Sequence, residues 1–327
     1  MDKIIGLGNA LTDVLVSSSD AELSALALPR GGMTLIDAER LRQIDAYLQT
    51  KSTHTATGGS AANTIAALSM LGAQTGFVGK VGSDRFGRFF ADSLQARGTD
   101  NRLLVTDDQP SGVAVTFITD DGERTFATHL GAAAELKADE LGPDSFKGGS
   151  WLYVEGYLVQ DEALITQAMR LAKAAGLMVC LDMASYNVVA ANRDFFRRTV
   201  SKYVDIVFAN EEEARAFTGK EPEEALADIA AQCSIAVVKV GSRGSMVKKA
   251  DETVKVDALK ISHVADTTGA GDFFAAGFLY GLTCGYPLDR CARIGTTLSA
   301  EVIQVVGTTL AEARWEEIKE QLQQNNI

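Results

Sequence analysis

The run Asp266-Thr267-Thr268-Gly269-Ala270-Gly271-Asp272 holds the most informative chemistry in the chain. The small residues at 269–271 let successive backbone N–H groups point at one spot. An apolar helix, Phe273–Leu282, follows, so the turn is an anion cradle at a helix N-terminus. A carboxylate at the end of such a cradle weakens anion binding unless it has a chemical role. One role fits Asp272: it accepts a proton from a substrate hydroxyl while the cradle holds a migrating phosphoryl group. The helix dipole favours the ionised form and makes Asp272 a weak base, which a loose phosphoryl-transfer transition state tolerates. The plain structural alternative is that Asp272 caps the helix and Asp266 closes a turn.

Four other places have candidate chemistry, each with a structural alternative. Thr57-Gly58-Gly59-Ser60-Ala61-Ala62-Asn63 is a second small-residue turn opening a helix. Its glycines permit close approach to a ligand, and Asn63 either caps the helix or binds a polar ligand. Asn210-Glu211-Glu212-Glu213 follows a buried-looking strand. The dipole alone accounts for acids in a first helical turn, but Asn210 and Glu213 also suit water around Mg²⁺ beside nucleotide phosphates. Lys239-Val240-Gly241-Ser242-Arg243-Gly244 is a turn, or a loop that holds a nucleotide. Asp13, just past the first strand, either closes a turn or accepts from two adjacent sugar hydroxyls.

Positioning these groups needs a scaffold that brings distant strand ends together. Short apolar or β-branched runs recur at 3–6, 74–78, 150–154, 177–181, 206–208 and 236–240, and 259–264 is strand-like as well. Amphipathic stretches at 63–71, 84–97, 161–175 and 211–217 lie between them, and the last third reads as helices at 273–282, 289–305 and 309–324. This alternation predicts an α/β fold, with a doubly wound, mostly parallel sheet covered by helices on both faces. Ligands are then expected at the strand ends of one edge. Segments 14–37 and 111–129 break the rhythm, with a hairpin turn at 119–122. They predict a small β-sheet lid without a core of its own, within a single domain spanning 1–327. Residues 323–327 are expected to fray.

Composition excludes several classes. The chain has 327 residues and a formal net charge of −12, which disfavours nucleic acid and anionic lipid as partners. No run approaches the ~18 apolar residues of a membrane span. Residues 1–6 lack a basic segment leading into a long apolar run, so no secretory signal is apparent. The four cysteines are scattered and lack CxxC spacing, as expected of a cytoplasmic protein, and three isolated histidines suggest no zinc site. Gly6-Leu7-Gly8 is not a dinucleotide fingerprint, because Leu11 stands where its last glycine belongs, and it reads as a tight strand-end turn.

Taken in order, Gly58-Gly59-Ser60-Ala61-Ala62-Asn63, Asn210-x-x-Glu213, Lys239-x-Gly241-x-x-Gly244 and Asp266–Asp272 resemble the ribokinase-like (phosphofructokinase-B type) sugar and nucleoside kinases. The resemblance implies a β-lidded α/β fold and transfer of the ATP γ-phosphoryl group to a hydroxymethyl group. It assigns Asp272 as base and Gly269, Ala270 and Gly271 as anion hole. Asp13, Gly59 and Asn63 would bind the acceptor, and Asn210 and Glu213 would serve the Mg²⁺-phosphate. Lys239, Gly241 and Gly244 would belong to the nucleotide loop. Asp266 and Thr268 match the near side of a monovalent-cation site, so K⁺ is a possible cofactor. Residues 6–13, 121–133 and 154–158 look more like adenosine kinases than like ribokinases or fructokinases. In that branch the arginine matching Arg124 meets phosphoryl charge, the alternative being an exposed hairpin arginine; Phe126 or Tyr157 suits stacking on a purine, the alternative for either being a core aromatic. The expected acceptor is thus an adenosine-like nucleoside, with ribose, fructose or a keto-deoxy sugar acid as the alternative. The expected assembly is a monomer or a lid-mediated homodimer.

Overall fold

Two sheets organise the chain. The computed structural model describes residues 2–121 and 123–324. Gly122 and residues 325–327, on which parts of the hairpin-turn and fraying expectations fall, lie outside the described residues. The strands are β1 (Lys3–Leu7), β2 (Leu11–Ser17), β3 (Met33–Leu35), β4 (Thr53–Gly58), β5 (Gln74–Gly82), β6 (Asp100–Thr106), β7 (Gly112–Ile118), β8 (Arg124–His129), β9 (Trp151–Glu155), β10 (Met178–Asp182), β11 (Ile206–Asn210), β12 (Ile235–Lys239), β13 (Ser245–Lys249) and β14 (Glu252–Val256).

The larger sheet has nine strands in the order β14-β13-β12-β11-β10-β9-β1-β5-β6. From β6 to β12 every pairing is parallel, and β13 and β14 add an antiparallel edge. Both faces are covered, so the central strands are apolar at nearly every position. Successive residues still part company: Phe208 packs into the cluster containing Phe77, Phe90 and Phe278, and Val207 into that containing Leu152, Phe196 and Phe217. β1 is the turning point of the strand order, with β5 and β6 on one side and β9 to β12 on the other. Such a reversal opens a crevice at the carboxyl ends of the strands, here of β1 and β9.

The smaller sheet, in the order β3-β8-β7-β2-β4, departs from the expected lid in two ways. A third chain piece contributes β4, whose Thr53-His54-Thr55-Ala56-Thr57-Gly58 lacks the apolar alternation that marks a strand. The sheet also has its own core. Val14, Val16, Val113, Val115 and Phe117 pack with Leu41, Ile44 and Leu48 of the helix Ala38–Leu48. That helix supplies apolar residues at i, i+3 and i+7, which gives the sheet a partner to bury against.

Two other expectations fail at the edge of the large sheet. Residues 259–264 form no strand, although apolar Leu259, Ile261 and Val264 give them a strand-like pattern. They do not extend the sheet beyond β14, and Leu259 and Val264 stay half-exposed along a cleft. β6, β13 and β14 are strands that apolar patterning misses: β6 and β14 are the two edges, which need fewer buried residues, and β13 buries only its first three residues. Among the described residues, no helix is long and apolar enough to cross a membrane.

Candidate active site

Four adjacent parallel strands end on polar side chains: β9 on Glu155, β10 on Asp182, β11 on Asn210 and β12 on Lys239. Register places Glu155 beside Asp182 and Asn210 beside Lys239. The last three line a cavity of about 870 Å³ at this edge of the sheet. Its walls also include Asp13, Gly59, Ser60 and Asn63, the Gly241 and Gly244 loop, and Thr268, Gly269, Ala270, Gly271 and Asp272. The volume is in the range of small-molecule sites. Of the expected site residues, Arg124 and Asp266 stand outside this lining.

Asp272 lies in the first turn of the helix Ala270–Thr283, whose N-cap Gly269 is left-handed with φ +76°. A side chain at 269 would be strained in that conformation, and it would also meet Thr308. The Asp272 carboxylate is held across the cleft by the helix Ser60–Met70. Ser60 Oγ donates to Oδ1 at 2.6 Å and Asn63 Nδ2 donates to Oδ2 at 2.9 Å. Burial pushes the Asp272 pKa up to about 6, against the lowering effect of these two donors. The result is a carboxylate close to its working range as a base near neutrality.

Asn63 departs from the capping reading of its motif and takes on a positioning role. It is not the helix cap, since Gly59 occupies that position. Its amide N–H is given to Asp272, and its Oδ1 accepts from Thr308 Oγ1 at 3.2 Å. Asn63 lines the cavity, but its polar atoms position the acid.

Asp13 belongs to β2 of the smaller sheet, not to a turn after β1. It faces the same cavity as Asp272. Burial, then repulsion from Asp272, raises its pKa to about 7. A Cβ at Gly58 would collide with the Asp13 carboxylate, so the first glycine of the pair makes room for the acid.

Asn210 and Glu213 form a reciprocal capping box. Asn210 Oδ1 accepts from the Glu213 N–H at 2.8 Å; Glu213 accepts from the Asn210 backbone N–H and Nδ2, both at 2.7 Å. The capping alternative thus describes these side chains, and no direct metal-ligand geometry is formed. Among the described residues, no group of three or more His, Cys, Asp and Glu side chains is arranged to hold a metal directly. Burial and then the neighbouring Asp182 push the Glu213 pKa upward. That excess negative charge fits a hydrated divalent cation held through water.

Arg124 opens β8, and its Nη1 lies 2.7 Å from Asp266 Oδ2. Asp266 also accepts from Gly307 N–H on Oδ2, and from Thr268 N–H and Oγ1 on Oδ1. Burial raises the Asp266 pKa, but the donors outweigh it and hold the pKa below the ordinary value. The Ile303 carbonyl nearby accepts from the Ala265 and Asp266 N–H groups. Asp266 and Thr268 therefore do not fit a monovalent-cation site in this arrangement: two donors engage each carboxylate oxygen, and one of the four is a cation. Arg124 itself reaches the anion loop through Asp266, and not by lining the cavity.

Sequence reasoning singled out neither Ser60, Asp182 nor Glu155 as functional. Ser60 sits inside a motif that was read for its glycines. Asp182 ends the apolar run 177–181, and a terminal acid after a buried strand is the signal that marks it. Glu155 is 1% exposed and accepts from Asn9 N–H at 3.0 Å, Asn9 Nδ2 at 2.6 Å and Ala61 N–H at 2.8 Å. Asn9 lies where the chain leaves for the smaller sheet and Ala61 where it returns, so one carboxylate staples both crossings. Of the two candidate stacking rings, Tyr157 lines the cavity and Phe126 does not.

A doubly wound sheet with an acid in the first turn of a glycine-capped helix at its switch-point edge, facing a second, smaller sheet, defines a ribokinase-like kinase. Comparison with known proteins agrees: the family model "pfkB family carbohydrate kinase" matches residues 30–314, and the chain belongs to that family. The solved adenosine kinase of Sinorhizobium meliloti is 33% identical, with 99% of each chain covered and a TM-score of 0.84. The adenosine kinase of Saccharomyces cerevisiae is 29% identical, covering 93% of this chain and 95% of the relative. The 5-dehydro-2-deoxygluconokinase of Shouchella clausii is 28% identical, covering 94% and 97%. Kinases of this family phosphorylate sugars or nucleosides at hydroxyl groups. Membership implies ATP use and typically a divalent metal.

Proposed function

We propose that this enzyme transfers the γ-phosphoryl group of ATP to the primary hydroxyl of an adenosine-like nucleoside. The observation that carries the reading is the pair Asp13 and Asp272, which come from a strand of the smaller sheet and from the first turn of the helix Ala270–Thr283, yet face one cavity and repel each other electrostatically. An acceptor sugar between them gives two hydroxyls to Asp13 and presents its hydroxymethyl group to Asp272. Asp272, oriented by Ser60 and Asn63, takes the hydroxyl proton as the oxygen attacks the γ-phosphorus. The bond from γ-phosphorus to the bridging oxygen breaks, and its electron pair leaves with ADP. The N–H groups of 269–271 stabilise charge on the group in flight.

The nucleotide is assigned to the part of the cavity bounded by Gly241, Gly244, Leu259 and Val264, whose apolar side chains suit a base. Glu213 and Asp182 would hold Mg²⁺ through water, and the ion would neutralise phosphate charge. The smaller sheet excludes water on closure, which suppresses ATP hydrolysis without an acceptor.

The half-exposed ring of Tyr157 in the cavity and the similarity to adenosine kinases support a purine nucleoside. The similarity to a 5-dehydro-2-deoxygluconokinase supports the second reading, a kinase for ribose, fructose or a keto-deoxy sugar acid. Steady-state turnover with MgATP on adenosine, ribose, fructose and 5-dehydro-2-deoxygluconate separates them. The expected result is a kcat/KM at least ~10-fold higher for adenosine, a difference of ~1.4 kcal/mol. An equal preference for a free sugar overturns the nucleoside assignment.

A further inference from the structure

Lys239 is the last residue of β12, and its side chain points into the cleft with only 16% exposure. An ammonium group has three donors. Among the described residues, Lys239 Nζ donates to a single partner, Asp182 Oδ2, at 3.3 Å. Its position relative to the cradle is close: Nζ is 2.9 Å from where a Cβ on Gly271 would lie, and beyond the local backbone no other described atom approaches that point within 4 Å. The group is thus partly buried, underused and beside the glycine-rich backbone at 269–271.

Its electrostatic surroundings have the same meaning. Burial opposes the charge, yet Asp182, Glu213 and Asp272 together keep the Lys239 pKa above its ordinary value, so it is a permanent cation. Three acids share one lysine in a cavity assigned to bind a polyphosphate. A lysine retained only to neutralise Asp182 would sit in tight, multiple contact with it. Here one long hydrogen bond leaves the remaining N–H groups for another acceptor.

Resting on the phosphoryl-transfer reading above, we propose that Lys239 is a catalytic residue whose ammonium contacts the transferring phosphoryl group, with Asp182 as the positioning residue that holds it there. During the step the acceptor hydroxyl proton goes to Asp272, the γ-phosphorus bond to the new oxygen forms, and the bond to the bridging oxygen breaks toward ADP. Lys239 stays protonated throughout and follows the charge from ATP to the product.

The test compares Lys239→Met, Asp182→Asn and the double variant with wild type, on whichever acceptor the wild-type enzyme phosphorylates. Wild type without kinase activity on any of the four acceptors counts against the underlying functional reading. With wild type active, Lys239→Met is expected to lose at least ~10²-fold in kcat, as does removal of one preorganised charge-stabilising donor elsewhere. It should lose ATP affinity more than ADP affinity in a direct binding titration, because the contact is to the group ADP lacks. Thermal melting reports folding. The double variant removes both charges, so it restores the melting temperature if the single variant is destabilised. The double variant is expected to stay within ~3-fold of the catalytic level of Lys239→Met. Recovery of wild-type turnover in the double variant, or equal losses of ATP and ADP binding, overturns the proposal in favour of simple charge pairing.

Discussion

The Asn63 amide donates to Asp272 across 209 positions of sequence, at 2.9 Å, and so joins the two glycine-rich turns into one acid-positioning unit. Ser60 holds the other oxygen. The carboxylate is fixed in orientation before any acceptor arrives, which is the preorganisation that positioning catalysis requires.

Asp272→Asn is expected to lower kcat by at least ~10²-fold, the low end for general-base removal, while ATP binding measured by calorimetry persists. The amide cannot accept the proton, yet it keeps the shape of the site. Turnover near wild type would remove Asp272 from its assigned role.

Activity should fall on the acid side. The Asp272 and Asp13 pKa values, about 6 and about 7, place an acidic limb of kcat/KM between pH 6 and 7. Stability runs the other way in the ligand-free protein. Both folded-state values lie above the unfolded ones, so the folded state binds more protons. That contribution is fully present below about pH 4 and is lost as pH rises through 6 to 7. A pH–rate profile flat from pH 5 to 8 contradicts the assigned values.

Asp13→Asn separates stability from function. Removing a desolvated charge that faces Asp272 should raise the melting temperature at pH 8, and the gain should shrink at pH 5, where Asp13 is protonated. The acceptor KM is expected to rise at least ~10-fold, since one accepting oxygen is lost. Lower stability at pH 8 would show that Asp13 is better solvated than its surroundings imply.

Potassium is expected to have no specific effect. Arg124 and three other donors engage the Asp266 carboxylate, so KCl and choline chloride at equal ionic strength should support the same turnover. Stimulation by K⁺ of ~3-fold or more would mean that Arg124 leaves Asp266 during the catalytic cycle.

Glu155→Gln tests the staple between the two sheets. The amide offers one accepting oxygen where three donors converge, so a buried N–H or the Asn9 amide loses its partner. The expected destabilisation is ~1–3 kcal/mol. Amide hydrogen exchange should quicken at Asn9 and Ala61 before it does in the central strands. Uniform acceleration across the large sheet would make Glu155 an ordinary core residue.

The residues alone determined the α/β layering and most of the central strands. A strand buried on both faces must be apolar throughout, and 74–78, 150–154 and 206–208 meet that demand locally. The turn at 269–271 opening a helix was equally legible, because glycine readily takes the left-handed conformation that the N-cap adopts there. Motif order also carried the family, since each loop has its own spacing. What the tertiary structure decided was who partners whom. Asn63 could cap, bind or position, and only the approach of the helix Ala270–Thr283 to the helix Ser60–Met70 makes it a positioning group. Asp266 suited a cation until β8 delivered Arg124 to it. β4 was silent because its pairing with β2, and not its own hydrophobicity, makes it a strand. Local patterning is set by burial and backbone geometry within a few residues. Polar partnerships are set by long-range convergence, and a one-dimensional pattern has no measure of that.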